Sequence, residues 1–301
     1  MEITAPQEWY TVLDILEKEK GIAIILGATD TGKTTLANFL ILNLCRQGLK
    51  VALVDTDIGQ STLGPPATIG FAVFKSDPDW EVVLSPPEIF FVGSTTPEGH
   101  FPLFLKGVKR MTDKALSYAT DSILVDTTGF VSGEAGKELK RRKIDLISPR
   151  FILALQKSDE IEYILGLYQE NPLYKILRLP LCEKVRPRSM EERRTNRANK
   201  FRDYFKDSVI QELALEQVRT EGEVLDPSGE AIPLEWSLRI SGLLAGLKDC
   251  NDETLALGII KNYLEEKKTV RVSTPLRDIQ SLKMIHLSSL KIIPIYEDEE
   301  F

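Results

Sequence analysis

The chain has 301 residues, 43% of them hydrophobic and 28% charged, with 19 Gly and 16 Pro, the profile of an ordinary soluble globular protein with one large domain or one plus a small appendage. Its longest apolar runs, such as Gly21–Gly27, fall far short of the roughly 20 residues that span a bilayer, and Met1–Tyr10 lacks the regions of a secretory signal, so neither a helical membrane protein nor a secreted one is expected. The net charge of −7 on its face argues against nucleic acid as a partner, but Arg178–Lys206 holds ten Lys/Arg against four Asp/Glu, so one basic segment sits on a body of net charge −13.

Taken in order, Trp9–Lys20 reads as an amphipathic helix, with Trp9, Val12, Leu13 and Leu16 at helical spacing. From Gly21 to about Leu179, β-like runs alternate with helical patterns. The strands are expected at Ile22–Leu26, Val51–Asp55, Ile89–Val92, Ser122–Asp126, Phe151–Leu155 and Tyr174–Leu179, and the helices at Lys33–Arg46, Leu103–Ala119, Ala135–Asp145 and Asp159–Leu167. That alternation predicts a three-layer α/β/α domain around a parallel sheet. Beyond about Asp207 the pattern turns to short β-rich pieces, Arg239–Leu247, Thr254–Ile260, Thr269–Val272, Met284–Leu287 and Leu290–Ile295, before the acidic tail Glu297–Glu300. The expected division is an N-terminal helix over 1–20, a P-loop domain over 21–206 and a small β-rich domain over 207–301. Three widely spaced cysteines, Cys45, Cys182 and Cys250, fit neither a disulfide framework nor a zinc site, so a reducing, cytoplasmic location is expected.

Gly27-Ala28-Thr29-Asp30-Thr31-Gly32-Lys33-Thr34, continuing to Thr35, satisfies G-x-x-x-x-G-K-[ST] between an apolar strand and a helix. The chemistry requires that context: a glycine-rich turn aims backbone N–H groups at phosphate oxygens, and the helix adds its positive end. Lys33 then reaches the β- and γ-phosphates, and the Thr34 hydroxyl ligates Mg²⁺. Two further strand ends carry carboxylates, Asp55 and Asp57 after Val51, and Asp126 before Thr127-Thr128-Gly129. Ligands of parallel sheets sit at the carboxyl ends of strands, so all three should approach the phosphates. One such Asp holds Mg²⁺ through water, and another can accept a proton from an attacking hydroxyl; Asp126 reads alternatively as a loop-fixing residue.

The succession GATDTGKTT, DTDIGQSTLGPP, FFVGSTTPEGH and DTTGFVSGEAG, with the later LLAGLKDCNDETLALGII, resembles the polynucleotide 5′-hydroxyl kinases of RNA processing. That family includes the kinases of pre-mRNA cleavage, tRNA splicing and ribosomal-RNA processing, with shorter archaeal and bacterial relatives. The resemblance implies transfer of the γ-phosphoryl group of ATP, with Mg²⁺, to the 5′ end of RNA or DNA. It implies catalytic roles for Lys33, Asp57 and possible help from Asp55, metal ligation by Thr34 and Asp57, and a substrate channel built by Gln60, Thr127, Thr128 and Gly129. A lid with an R-x-x-x-R pair corresponds to Arg193 and Arg197. The residues themselves support that lid: Ser189-Met-Glu-Glu192 is a capping box that starts a helix over about 186–206, and Arg193, Arg197 and Lys200 share one face. Larger relatives have a β domain before the P-loop and commonly Trp where this chain has Phe130.

A rival reading rests on Asp126-Thr-Thr-Gly129 as the D-x-x-G of nucleotide switches and Gln156-Lys157-Ser158-Asp159 as a variant of the guanine-reading N/T-K-x-D. Of the remaining candidates, His100 reads as a loop residue near the nucleic-acid side and His286 as structural. Pro65-Pro66 reads as shaping the substrate-side loop, Pro86-Pro87 is turn punctuation, and Trp80, Tyr168 and Tyr174 are single aromatics of the kind more often found in cores.

Overall fold

A computed structural model describes residues 5–76, 82–84, 87–182, 186–222, 224–225, 231–232 and 240–292. Trp80, Pro86, Arg239 and the acidic tail lie outside the described residues. The N-terminal half runs α1 (Gln7–Lys18), β1 (Gly21–Gly27), α2 (Lys33–Arg46), β2 (Val51–Thr56), β3 (Thr68–Ser76), β4 (Val82–Leu84), β5 (Glu88–Phe91), α3 (Phe101–Ser117) and β6 (Ser122–Thr127). It continues through α4 (Gly133–Ile147), β7 (Phe151–Leu155), α5 (Glu162–Leu165), β8 (Lys175–Leu179) and α6 (Met190–Phe205). The remaining elements are β9 (Val209–Ala214), β10 (Arg219–Glu221), β11 (Val224–Leu225), β12 (Ala231–Ile232), β13 (Leu243–Lys248), β14 (Thr254–Leu264), β15 (Thr269–Thr274) and β16 (Met284–Lys291).

The parallel sheet expected from the alternation is present as β2-β6-β1-β7-β8. Its central strand, Gly-Ile-Ala-Ile-Ile-Leu-Gly, is apolar throughout because both faces are covered. Period-2 alternation sends Ala23 and Ile25 against α1 and α2, where Trp9, Leu16, Leu36, Leu40 and Leu44 are buried. Ile24 and Leu26 face the opposite layer, with Phe104 and Val108 of α3, Leu139 and Ile144 of α4 and Ile164 of α5. Each such fully buried aliphatic side chain contributes about 1.5–3 kcal/mol.

Beyond β2 the sheet becomes antiparallel. β3, a strand absent from the sequence reading, pairs β2 with Val51 opposite Phe74, and β5 pairs β3. Thr254 at the start of β14 then pairs Ile89, and its hydroxyl accepts the Phe91 N–H at 3.0 Å, so the C-terminal strands extend the same sheet. Ions reinforce that junction. Arg110 on α3 meets Glu253 at 2.7 Å, while Lys114 lies between Glu88 (2.5 Å) and Glu253 (2.6 Å).

The expected helix over Asp159–Leu167 shrinks to α5, one turn long, because the Glu160 carboxylate caps the Lys157 and Ser158 amides and holds the preceding residues in a loop. Leu290 and Lys291 belong to β16 itself. Tyr168 is a core residue, its hydroxyl 2.8 Å from Asp145 and its ring edge-on to Tyr174.

Candidate active site

β1 delivers the chain at Gly27, where a Cβ would lie 2.5 Å from the Leu155 carbonyl oxygen, so only glycine lets the loop leave the sheet there. The loop turns back through Asp30 and Gly32, both left-handed (φ 58° and 86°), and Gly32 caps α2. Lys33 folds back to donate to the Ala28 carbonyl at 2.6 Å. Burial pushes the Lys33 amine down, against the pull of Asp126, Asp57 and Asp30. The Thr34 hydroxyl donates to Asp126 Oδ2 at 2.6 Å.

Register explains which carboxylates converge. Asp55 of β2 stands opposite Asp126 of β6, which in turn stands opposite Ile25 of β1. The two aspartates have different employment. Asp55 is buried and its oxygens accept from the Asp57 N–H (3.0 Å), the Ser61 and Thr62 hydroxyls (3.2 and 2.9 Å), and the Thr62 and Leu63 amides. It staples the loop that follows β2, with four of these hydrogen bonds on Oδ2 and one on Oδ1. Asp57 Oδ1 accepts the Gly59 and Gln60 amides at 3.1 and 3.0 Å, and among the described residues no donor meets its Oδ2.

The lid helix α6 begins as expected: Ser189 Oγ accepts from Glu192 N–H at 3.0 Å, and the Glu192 carboxylate accepts from Ser189 N–H at 2.7 Å. It is docked on the phosphate loop. Arg193 Nη2 donates to Asp30 Oδ2 at 2.5 Å and to the Arg188 carbonyl at 3.0 Å. Gln60 bridges the other side, its Nε2 donating to the Arg193 carbonyl at 3.2 Å and its Oε1 accepting from Asn196 at 2.8 Å. Lys200, one turn further along α6, donates to the Ser61 carbonyl. The result is a cleft of about 300 Å³ lined by Lys33, Thr34, Asp57, Gln60, Gly129 and four arginines, Arg186, Arg188, Arg193 and Arg197.

The turn after β6 is divided between core and cleft. Thr127 is fully buried, its hydroxyl donating to the Ile25 carbonyl at 2.8 Å, and Thr128 is nearly so; of that turn only Gly129 lines the cleft. Phe130 packs against the apolar core beneath. The guanine-reading possibility loses its reader, because the Gln156 amide is held on Glu162 at 2.5 Å, itself clamped by Arg178.

Several site residues escaped the sequence reading. Arg186 and Arg188 lie in the basic stretch but precede the helix, so no periodicity marks them. Asp30 reads as part of the phosphate loop, but nothing in the sequence marks its pairing with Arg193. Lys140 and Lys143 of α4 are fully buried just below the strand ends. Burial drives Lys143 down to about 7 and Lys140 well below its ordinary value.

A sheet with a glycine-rich loop at its central strand, a Lys and Thr at the following helix and carboxylates on the neighbouring strand ends defines a P-loop nucleotide-binding protein. Residues 27–207 match the family model described as mRNA cleavage and polyadenylation factor CLP1 P-loop, and the chain belongs to that family. It is 32% identical to the polyribonucleotide 5′-hydroxyl-kinase of Methanocaldococcus jannaschii, over 95% of this chain and 92% of that protein. It is 30% identical to the protein of the same name from Pyrococcus abyssi, again over 95% and 92%. A solved structure of wild-type Clp1p in complex with Pcf11p shares the fold, with a TM-score of 0.75 at 16% identity, covering 97% of this chain and 80% of that one. Among the described residues no helix is long and apolar enough to cross a membrane.

Asp126 gives the site a pH signature. Burial, reinforced by the Asp55 carboxylate, pushes it up to about 7 from an ordinary value of 3.8. An acid raised in this way binds more protons folded than unfolded, so stability falls as pH rises from about 4 through about 7. Asp126→Asn is therefore expected to raise the melting temperature of the nucleotide-free protein more near pH 8 than near pH 5. Differential scanning fluorimetry at the two pH values checks this; an equal gain, or a larger one in acid, contradicts it.

Proposed function

We propose that this chain transfers the γ-phosphoryl group of ATP to the 5′-hydroxyl end of RNA, with DNA ends as a possible second acceptor class. The observation that carries the reading is the cleft itself, in which the phosphate loop, a carboxylate with an open oxygen and four arginines face one another. The amides of residues 28–35 cradle the phosphates, and Lys33 leaves the Ala28 carbonyl for the β- and γ-oxygens. The acceptor hydroxyl gives its proton to Asp57 as its oxygen bonds to the γ-phosphorus. The bond from that phosphorus to the bridging oxygen breaks, and ADP leaves. Gln60, fixed by Asn196 and the Arg193 carbonyl, borders the acceptor's path. Asp55 positions this loop from below. Lid arginines stabilise charge on the transferring oxygens.

The donor set also suits Mg²⁺, a hard cation that takes oxygen ligands. Thr34 and Asp126, already hydrogen-bonded to each other, would hold it with Asp57 near by, and it would neutralise phosphate charge. The division of labour belongs to the same proposal: residues 21–206 carry the chemistry and 207–301 form the β-rich unit that supports the sheet's far side.

The test is transfer of ³²P from γ-labelled ATP, with labelled GTP alongside, to 5′-hydroxyl RNA and DNA oligonucleotides. Label should appear on the oligonucleotide with the native chain and vanish with Lys33→Ala. Release of free phosphate without labelled oligonucleotide would overturn the proposal in favour of a nucleotide hydrolase.

A further inference from the structure

Helix α4 turns one face inward, and that face contains two lysines among apolar residues: Leu139, Lys140, Lys143, Ile144 and Ile147 are all buried. Neither lysine forms an ion pair among the described residues; both amines meet neutral oxygens. Lys140 Nζ donates to Thr127 Oγ1 at 3.0 Å and to the Thr128 carbonyl at 2.5 Å. Lys143 Nζ donates to Thr56 Oγ1 at 2.7 Å and lies 4.7 Å from the centre of the Phe104 ring. Methionine would fill both positions without the desolvation that an amine incurs, so the lysines are costly as packing. Their use must come from what they donate to.

Those threonines each pass the hydrogen bond onward. Thr56 of β2 donates to the Asp126 carbonyl of β6 at 2.7 Å, and Thr127 of β6 donates to the Ile25 carbonyl of β1 at 2.8 Å. Two chains, Lys143-Thr56-Asp126 and Lys140-Thr127-Ile25, thus run crosswise at the last residues that pair between β2 and β6 and between β6 and β1. Past that line the strands separate into the phosphate loop, the Asp57 loop and the Thr128–Gly129 turn. These three segments hold the cleft's reacting groups, and no strand ladder fixes their spacing.

Resting on the phosphoryl-transfer reading above, we infer that Lys140 and Lys143 are positioning residues for that reaction, setting from below the relative placement of the phosphate loop, Asp57 and Asp126. Neither touches a substrate. In-line transfer depends on alignment, and a displacement of about 1 Å costs on the order of 100-fold in rate. The chemistry therefore senses these two side chains more sharply than nucleotide affinity does, because affinity comes largely from the loop's own amides.

The experiment compares kcat and KM for ATP in the native chain, Lys140→Met and Lys143→Met, with melting temperatures measured in parallel. Thr127→Val and Thr56→Val sever the same chains from the strand side and leave both lysines in place. The expected result is a kcat lower by about 10- to 100-fold in each Met variant, with KM for ATP changed less than about threefold and no loss of melting temperature. A Met variant that melts normally and keeps kcat within about threefold overturns the inference, as does a loss confined to KM. Should the Met variants fail to fold, Thr127→Val decides by the same kcat criterion. If the native chain transfers no label, the functional reading itself fails, an outcome distinct from a native chain that works and variants that work equally well.

Discussion

Asp57→Asn should abolish phosphoryl transfer, by about 100- to 10,000-fold in kcat, while the protein still binds nucleotide. The substitution is selective because the side chain has two separate tasks. Its Oδ1 accepts the Gly59 and Gln60 amides at 3.1 and 3.0 Å and thereby shapes the loop. An asparagine carbonyl oxygen accepts the same two bonds, so the loop and the Gln60 contacts to α6 survive. The lost feature is the second carboxylate oxygen, which lacks a donor among the described residues and borders the cleft. An amide nitrogen there cannot take a proton. Single-turnover transfer from labelled ATP, paired with equilibrium binding of a fluorescent ATP analogue, separates chemistry from affinity. Near-normal transfer would remove Asp57 from the reaction.

Arg197→Ala should come close to the same loss, and Arg193→Ala should behave differently. Arg197 lines the cleft, and no partner meets its guanidinium among the described residues, so it is free to follow charge onto the transferring phosphoryl group. An arginine used in that way contributes about 10³–10⁵ in rate. Arg193 is already committed to Asp30 at 2.5 Å and to the Arg188 carbonyl, which makes it the fastening of the lid on the phosphate loop. Its removal should therefore weaken ATP binding more than it slows the bound complex. Steady-state kcat and KM for both variants test the distinction; a larger kcat defect in Arg193→Ala would exchange the two roles.

Legibility in the sequence followed the range over which each signal acts. The phosphate loop and the start of the lid helix are local: Gly27 to Thr34 and Ser189 to Glu192 define their own backbone bonds, and the structure has both where the spacing puts them. Strand β3 was overlooked because Thr68–Ser76 follows a Pro-rich loop, and its reversal relative to β2 leaves no mark in composition. Asp55 and Asp57 look interchangeable in Asp-Thr-Asp. Only the loop's return over Ser61–Leu63 shows that the first is tied to that loop and the second lines the cleft. Thr127 had the same ambiguity, since a hydroxyl at a strand end points to ligand or to lattice according to register. Lys140 and Lys143 were hidden by their neighbours: in Lys137–Lys143 five of seven residues are basic, and such a run reads as a solvated face.

The single pairing of Thr254 with Ile89 has a bearing on what the sheet leaves open at its edge. Strand β5, with Ile89, Phe90 and Phe91 in succession, would otherwise border the antiparallel side of the sheet with open N–H and C=O groups, the kind of surface on which another molecule can add a strand. The C-terminal strands take that place, and the Thr254 hydroxyl occupies the Phe91 N–H. They therefore leave that edge of β5 less open to an added strand and tie the two halves of the chain into one sheet.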